Sequence, residues 1–264
     1  MNPFDFHRPY ATADAAKLLS RAADPRLIAG GQSLLPTMKL GLAAPTDLID
    51  LSSIAALRGI RREGDTIVIG AMTSHADVAA SSVVRQGLPS LAALADGIGD
   101  PQVRARGTLG GSLANNDPAA CYPSAVLALG ANIHTHKRII PADEFFLGIY
   151  QTALAADEII EAVSFPIPRA GAYIKFRQPA SHYALVGVFV ARMAAGVRAA
   201  VTGAAACAHR IPALEAALSL DWSAAAARAV RVDPAHLNTD LHATAAYRAH
   251  LIPVLAARAV EAAR

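Results

Sequence analysis

The spacing of apolar residues changes several times along the chain, and each change marks an element. In "TADAAKLLSRAA", Thr12 to Ala23, apolar residues recur at helical intervals. This predicts a short helix capped by Thr12, with Leu18 and Leu19 facing inward. "RLIAGG" is a brief apolar run closed by two glycines, a strand feeding a turn, and "DLIDLSSI", Asp47 to Ile54, is a second short strand. "RREGDTIVIGAMT" predicts a hairpin turn at Glu63-Gly64-Asp65 followed by a strand, Thr66 to Gly70. Ser74 and Asp77 stand at capping-box spacing before a helix, with Asp in place of the usual Glu. In "LPSLAALADGI" the leucines Leu88, Leu91 and Leu94 fall on one side of a helix. "SAVLALGANIHTH" passes from helix to strand, and "DEIIEAVSFPIP" is a strand stopped by Pro166 and Pro168.

Beyond that proline pair the pattern changes. "AYIKFRQ", "HYALVGVFVARM" and "VRAAVTGAAACA" are consecutive strands, the last two joined by a tight turn at Ala195-Gly196. Helices follow in "IPALEAALS" and "SAAAARAV", then a long closing helix from about Ala243, in which Tyr247, Leu251, Val254 and Leu255 share a face and Pro253 introduces a kink. Strands then helices make this C-terminal part an α+β unit, with the proline pair as the boundary. No solenoid period is present.

Composition narrows the class. The chain has 264 residues, 53% hydrophobic and 17% charged, enough for one large or two modest domains with a substantial core, and unlike a disordered chain. The formal net charge is +3. Arginines gather at Arg58, Arg61, Arg62 and at Arg104, Arg106, without the density or interleaved aromatics of a nucleic-acid surface, so they are read as solvated faces. The longest aliphatic run, Tyr183 to Ala191, falls short of the roughly 20 residues of a membrane span, and "MNPFDFHRPY" has no apolar signal core. The two cysteines, Cys121 and Cys207, form no CxxC. A disulfide framework and a self-contained iron–sulfur cluster are therefore excluded, and a reducing cytoplasm is the expected compartment.

Two glycine-centred loops carry the chemistry. "IAGGQSLL" follows a predicted strand, and "GTLGGSLANNDPAACYP" repeats the theme from Gly107. Glycines let a backbone approach a ligand closely, and successive N–H groups form anion-binding nests. Two such nests converging on one pyrophosphate would hold a dinucleotide between subdomains. Neither loop has the G-x-G-x-x-G of a Rossmann turn or the G-x-x-x-x-G-K-[ST] of a P-loop. On spacing alone, two structural turns with incidental glycines remain an equal alternative.

"AGGQSLLPTMKLGLA" together with "TLGGSLANNDPAACYPSAVLALGA" resembles the FAD-binding medium subunit of the molybdenum hydroxylases, of the carbon monoxide dehydrogenase and xanthine dehydrogenase type. "FDFHRPYATADAAKLL", "IGAMTSHADV", "DEIIEAVSFPIP" and "TDLHATAAYRAHLIPVLAARAVEAA" extend the resemblance over nearly the whole chain. The resemblance implies an α+β fold. A vanillyl-alcohol-oxidase-like, PCMH-type FAD domain over residues 1–168, in subdomains of about 1–58 and 59–168, precedes a smaller C-terminal α+β domain over 169–264.

It also implies residue roles. Ile28, Ala29, Gly30, Gly31, Gln32, Ser33 and Leu34 would bind FAD from one side of its pyrophosphate, and Thr108, Gly110, Gly111 and Ser112 from the other. Valine at Gly31 or Gly110 is expected to abolish FAD retention by entering the pyrophosphate site. Lys175 in "YIKF" matches a position near the flavin, where its charge would favour the anionic reduced form. Tyr173 would cover one isoalloxazine face. Ile98 stands where xanthine dehydrogenases carry an aromatic against the adenine. Cys121 replaces a common aspartate, and Asn116 or Asp117 would take over its hydrogen bond.

Each of these residues also has a plain structural role available. Asp117 equally caps a helix starting near Pro118. Lys175 fits a strand surface, and Tyr173 fits between sheet and helix. Ser33 and Ser112 are phosphate donors and not nucleophiles, since no histidine completes a triad. His134 and His136 share a strand face but lack a third metal ligand, and Cys207 is buried packing. Tyr247 and Arg248 are structural or interfacial.

The resemblance implies an oxidoreductase subunit with no catalytic acid–base residues and no metal of its own. Electrons would enter from [2Fe–2S] clusters of a small partner subunit, beside a large molybdenum-cofactor subunit, in a dimer of heterotrimers, and leave through FAD to NAD, a quinone, dioxygen or another acceptor. Two other readings remain at this stage: a free-standing flavin oxidoreductase and a flavin-free assembly subunit.

Overall fold

The computed structural model describes residues 2–263. Strand β1 (Asp5–His7), helix α1 (Thr12–Arg21), strand β2 (Pro25–Ile28), helix α2 (Leu34–Lys39) and strand β3 (Asp47–Asp50) build a parallel sheet in the order β1-β3-β2. Ala15 and Leu19 of α1 are buried with Ile49, Leu51, Ile54 and Leu57. Thr12 is the first helical residue and not the cap. Ala11 holds that position without a side-chain bond, while Asp14 places a carboxylate in the first turn, where it favours the positive helix end. The strand expected to reach Ile54 stops at Asp50, whose carboxylate accepts the Ser52 N–H at 2.9 Å and turns the chain into a 3-10 segment.

The second unit is antiparallel. Strands β4 (Ile60–Glu63) and β5 (Thr66–Gly70) form the expected hairpin, turned at Gly64 with φ +60°. Helices α3 (His75–Ala80), α4 (Ser82–Gly87), α5 (Pro89–Asp96), α6 (Pro101–Arg106), α7 (Leu109–Asn115) and α8 (Tyr122–Ala128) follow. Next come β6 (Asn132–Thr135), β7 (Ile139–Pro141), the short α9 (Ala142–Phe145), the hairpin β8 (Phe146–Gly148) and β9 (Gln151–Thr152), and β10 (Ile160–Pro166). The sheet order is β4-β5-β10-β6-β7. Ser74 caps α3 by accepting the Asp77 N–H at 3.0 Å, and its hydroxyl meets the Asp77 carboxylate at 2.7 Å. Leu88, Leu91 and Leu94 join Ile67, Ile69, Val163 and Phe165 in one core. Full burial of side chains this size is worth about 1.5–3 kcal/mol each.

The third unit is the sheet β11 (Ala170–Arg177), β12 (Ala184–Met193), β13 (Gly196–Thr202) and β14 (His209–Arg210), with helices α10 (Pro212–Leu220), α11 (Ala224–Ala229) and α12 (Ala245–Ala262). The β12–β13 turn falls at Ala194-Ala195, because Met193 pairs with Gly196. Strand β12 is buried on both faces. Val186, Val188 and Val190 face a core shared with α12, while Phe189 and Ala191 join the core of the second unit under α8. Helix α12 continues through Pro253 as one element. Its inner face is Leu251, Ile252, Leu255 and Ala256, whereas Tyr247 lies at the exposed edge against Phe176.

Candidate functional site

All three units contribute to one place. The chain leaves β2 through Ala29 and Gly30 and turns at Gly31, φ +72°, into α2. The second loop leaves α6 at Gly107 and enters α7 at its N-cap, Thr108, whose Oγ1 accepts the Gly111 N–H at 3.2 Å. The two loops touch. A Cβ on Gly30 would stand 2.7 Å from the Cα of Gly107, and one on Gly111 would stand 3.6 Å from the Ala29 Cβ. Only a residue without a side chain permits the first approach.

The loops differ in their backbone donors. Among the described residues, the N–H groups of Gly30, Gly31, Gln32 and Ser33 have no acceptor. This is the expected nest, and Ile28 and Leu34 flank it, half-buried. In the second loop the Leu109, Gly110 and Ser112 N–H groups bind Thr73 O, Ala71 O and Thr108 O, and Gly111 binds Thr108 Oγ1. The expectation of two backbone nests is thus corrected to one nest facing one capped helix end. The donors left on the second loop are the Thr108 N–H and the Thr108 and Ser112 hydroxyls. Gly110 does not face the gap either. Its Cβ would meet the Ala71 Cβ at 2.6 Å, so the glycine seats α7 on the segment after β5. A Cβ on Gly31 would point at the Leu35 side chain, so valine there would act through strain at positive φ rather than by filling the gap.

Beneath the second loop lies His75. Its N–H donates to Gly107 O at 2.9 Å, its ring sits 5.3 Å from that of Tyr122, and its Nδ1 has no partner. Burial, and then the nearby Arg104 charge, push its pKa down to about 4. Arg104 is not on a solvated face as expected. It is half-buried, bonds Ile98 O at 3.1 Å and Gly99 O at 3.3 Å, and pairs with Asp96 at 3.7 Å. It thereby fixes the turn carrying Ile98, which packs partly against the core.

The loop after α7 is held from two sides. Asn116, with φ +44°, is completely buried, and its Nδ2 donates to Gly148 O at 2.9 Å and Gln151 O at 2.8 Å. Its amide therefore anchors the β8–β9 hairpin, leaving only Oδ1 unpartnered. Asp117 accepts the Ala119 N–H at 2.8 Å, so it caps a turn; the helix expected near Pro118 begins at Tyr122. From the third unit, Thr202 Oγ1 lies 2.9 Å from Pro118 O and 2.6 Å from Ala120 O, and the Gly203 N–H donates to Pro118 O at 2.7 Å.

Tyr173 does not face this site. Its ring stacks on Phe189 at 6.2 Å, and its hydroxyl is buried without a partner. The covering role expected of it is corrected to packing between β11, β12 and the second core. The tyrosine that sequence reasoning missed is Tyr183, 50% exposed in the turn before β12. The next residue, Ala184, abuts Gly203, whose N–H bonds Pro118 O in the Asp117 loop, and burial and then the charge of Asp117 raise the Tyr183 phenol pKa. Tyr150 closes the same corner, its hydroxyl 3.5 Å from Asp117 Oδ2. The only sequence signal for Tyr183 is its place in a polar turn just before the long apolar run 184–191. Lys175 lies between these parts, donating to Gly97 O at 2.8 Å, His182 O at 3.0 Å and Cys121 Sγ at 3.4 Å.

The remaining candidates have structural partners. His134 bonds Ser164 at 2.7 Å, and His136 Nδ1 accepts the Ile159 N–H at 3.2 Å. No cluster of three or more potential metal ligands exists among the described residues. Cys121 and Cys207 are free thiols, Cys207 only partly buried. No described helix is long and apolar enough to cross a membrane. An anion-ready nest touching a loop that carries two hydroxyls, with aromatic side chains on neighbouring loops, suits an elongated ligand with an anionic centre and a flat ring.

Comparison with known proteins agrees with this chemistry. Residues 2–168 match the family described as the FAD binding domain in molybdopterin dehydrogenase. The carbon monoxide dehydrogenase medium chain of Hydrogenophaga pseudoflava is 40% identical over 220 residues, covering 78% of this chain and 77% of that one. The nicotine 6-hydroxylase medium subunit of Paenarthrobacter nicotinovorans is 38% identical over 267 residues, covering 96% and 94%. The solved carbon monoxide dehydrogenase from Hydrogenophaga pseudoflava, which lacks the Mo-pyranopterin moiety of its cofactor, superposes with a TM-score of 0.88 at 38% identity, covering 99% of this chain and 98% of that one.

Proposed function

Because the chain belongs to the family of FAD-binding domains of molybdopterin dehydrogenases, we propose that it is the electron-transfer subunit of its complex. In this reading it takes electrons from [2Fe–2S] clusters of a small partner subunit and delivers them to NAD, a quinone, dioxygen or another acceptor. The coarser statement stands on its own: this is an FAD-binding oxidoreductase subunit of the molybdenum hydroxylase type, a medium subunit that works with a large and a small one.

The observation that carries the reading is the contact of Gly30 with Gly107. On this reading the open N–H groups of Gly30 to Ser33 would face the hydroxyls of Thr108 and Ser112. These groups would hold the diphosphate, with Ala29 and Gly111 keeping the gap narrow. Ile98 would lie toward the adenine end, and Asn116 Oδ1, Asp117, Lys175 and Tyr183 toward the flavin end. FAD, when bound, supplies the exchange between one-electron donors and a two-electron acceptor. The chain's part is to bind the cofactor, shield one ring face and fix its charge environment. No described acid–base pair is needed for that.

In this proposal residues 1–168 form the FAD-binding part and 169–264 the C-terminal part. The complex is a dimer of heterotrimers, and it works in the cytoplasm. The test is titration of the purified FAD-free chain with FAD, followed by visible absorption and flavin fluorescence, and then co-purification with the two partner subunits. Uptake of one FAD per chain and recovery of both partners is the expected result. A chain that stays colourless would mark a flavin-free assembly subunit instead.

A further inference from the structure

We infer that Lys175 is a positioning residue, whose ammonium locks the segments carrying Ile98, Cys121 and Tyr183 into one arrangement and acts on FAD only through them. The inference rests on the FAD-binding reading above. A lysine ammonium has three N–H donors and no acceptor. All three donors are occupied within the chain: by Gly97 O at 2.8 Å, by His182 O at 3.0 Å and by Cys121 Sγ at 3.4 Å. None is left to donate to a ligand.

The acceptors are informative because of what they adjoin. Gly97 precedes Ile98 at the end of α5, Cys121 closes the loop begun by Asp117, and His182 precedes Tyr183. Gly97 and Cys121 are 78 and 54 residues distant from Lys175 in sequence. His182 has φ +60°, in the left-handed region that few non-glycine residues occupy. Among the described residues, no other hydrogen bond joins the 178–183 turn to the Gly97 segment or to Cys121. Apart from a side-chain bond between Gln178 Nε2 and His242 Nδ1 at 2.8 Å, which leads away from the site, that turn closes on itself, through Gln178 N to Tyr183 O at 2.8 Å and His182 N to Gln178 O at 2.9 Å. Lys175 is thus the one polar tie between the tyrosine turn and the rest of the site.

Cys121 fits the same picture. Its sulfur offers the third acceptor, and Lys175 forms no salt bridge with a carboxylate among the described residues. The lysine therefore works as a three-way hydrogen-bonded node, with no carboxylate pulling it toward any one segment.

The experiment compares the unsubstituted chain with Lys175→Met and Lys175→Arg. Hydrogen exchange is measured on the FAD-free proteins, and FAD affinity and flavin reduction potential on the reconstituted ones. With Lys175→Met we expect exchange to rise about tenfold in residues 97–100 and 178–184, while β5 and β10 stay protected. FAD affinity should fall about tenfold, and Lys175→Arg, which keeps donors at that position, should recover part of both. Unchanged exchange in the two segments would overturn the inference, and if the potential shifted at the same time the lysine would be acting on the flavin directly. Exchange raised throughout the chain would overturn it as well, since that is the mark of a general structural role. Failure of the unsubstituted chain to take up FAD would defeat the cofactor reading itself, and it needs no substitution to be seen.

Discussion

Gly30 lies against Gly107 so closely that a Cβ on the first would stand 2.7 Å from the Cα of the second. The neighbouring atoms are backbone, which cannot swing aside. Replacing Gly30 with valine should therefore push the loops apart, cost about 1–3 kcal/mol as an overpacked site, and strip the protein of FAD. Gly41, at φ +73° with open space around it, is the control for glycine loss as such. Flavin content and thermal midpoint of Gly30→Val and Gly41→Ala check this. Full FAD occupancy in the first variant would refute the loop contact.

His75 is buried neutral under the second loop, its pKa pushed down to about 4. A histidine depressed in the folded state binds its proton more readily when unfolded. Its contribution is complete above the unfolded value near 6.5 and is lost progressively as pH falls toward 4. Between pH 7 and pH 5 this amounts to about 2 kcal/mol. Urea midpoints at the two pH values should show that slope in the unsubstituted chain and lose most of it in His75→Gln. An equal slope in both would show that another group is responsible.

Arg248 is 3% exposed, and its guanidinium donates to Leu185 O at 2.6 Å, Gly203 O at 2.7 Å and Asp240 at 2.6 Å. It ties α12 to the start of β12 and to the residue after β13. Arg248→Met should cost about 3–5 kcal/mol, because the two carbonyls lose their donor inside the protein. Calorimetry checks the size. A loss under 1 kcal/mol would mean that water replaces the guanidinium.

Thr202→Val keeps the side-chain shape and removes the hydroxyl that meets Pro118 O and Ala120 O. We expect a stability loss of about 1 kcal/mol and faster amide exchange around residues 117–121. FAD affinity should weaken with it, since Asp117 and Cys121 lie on that loop. Exchange unchanged in the loop would show that the Gly203 N–H bond suffices alone.

How far the sequence revealed this arrangement depended on how local each signal was. The hairpin at Gly64, the Ser74 cap and the leucine face of α5 rest on neighbours a few residues apart, and they stand as the pattern implies. The meeting of the two glycine loops was legible as a motif, yet its cause was not. Gly110 exists for Ala71, and Gly30 for Gly107, contacts that no spacing announces. Tyr173 lies within β11 and Tyr183 just before β12. Only the pairing of β11 with β12, which stacks Tyr173 on Phe189, decides which tyrosine is buried. The partners of Arg104 and of the Asn116 amide lie in other turns, so neither structural tie is legible from the residue's own neighbours.

A crystal structure of the chain reconstituted with FAD tests the central claim most directly. The account predicts the diphosphate between the N–H groups of Gly30 to Ser33 and the hydroxyls of Thr108 and Ser112, with Tyr183 beside the flavin ring. A diphosphate bound elsewhere, or one whose nearest donors belong to neither loop, would contradict it.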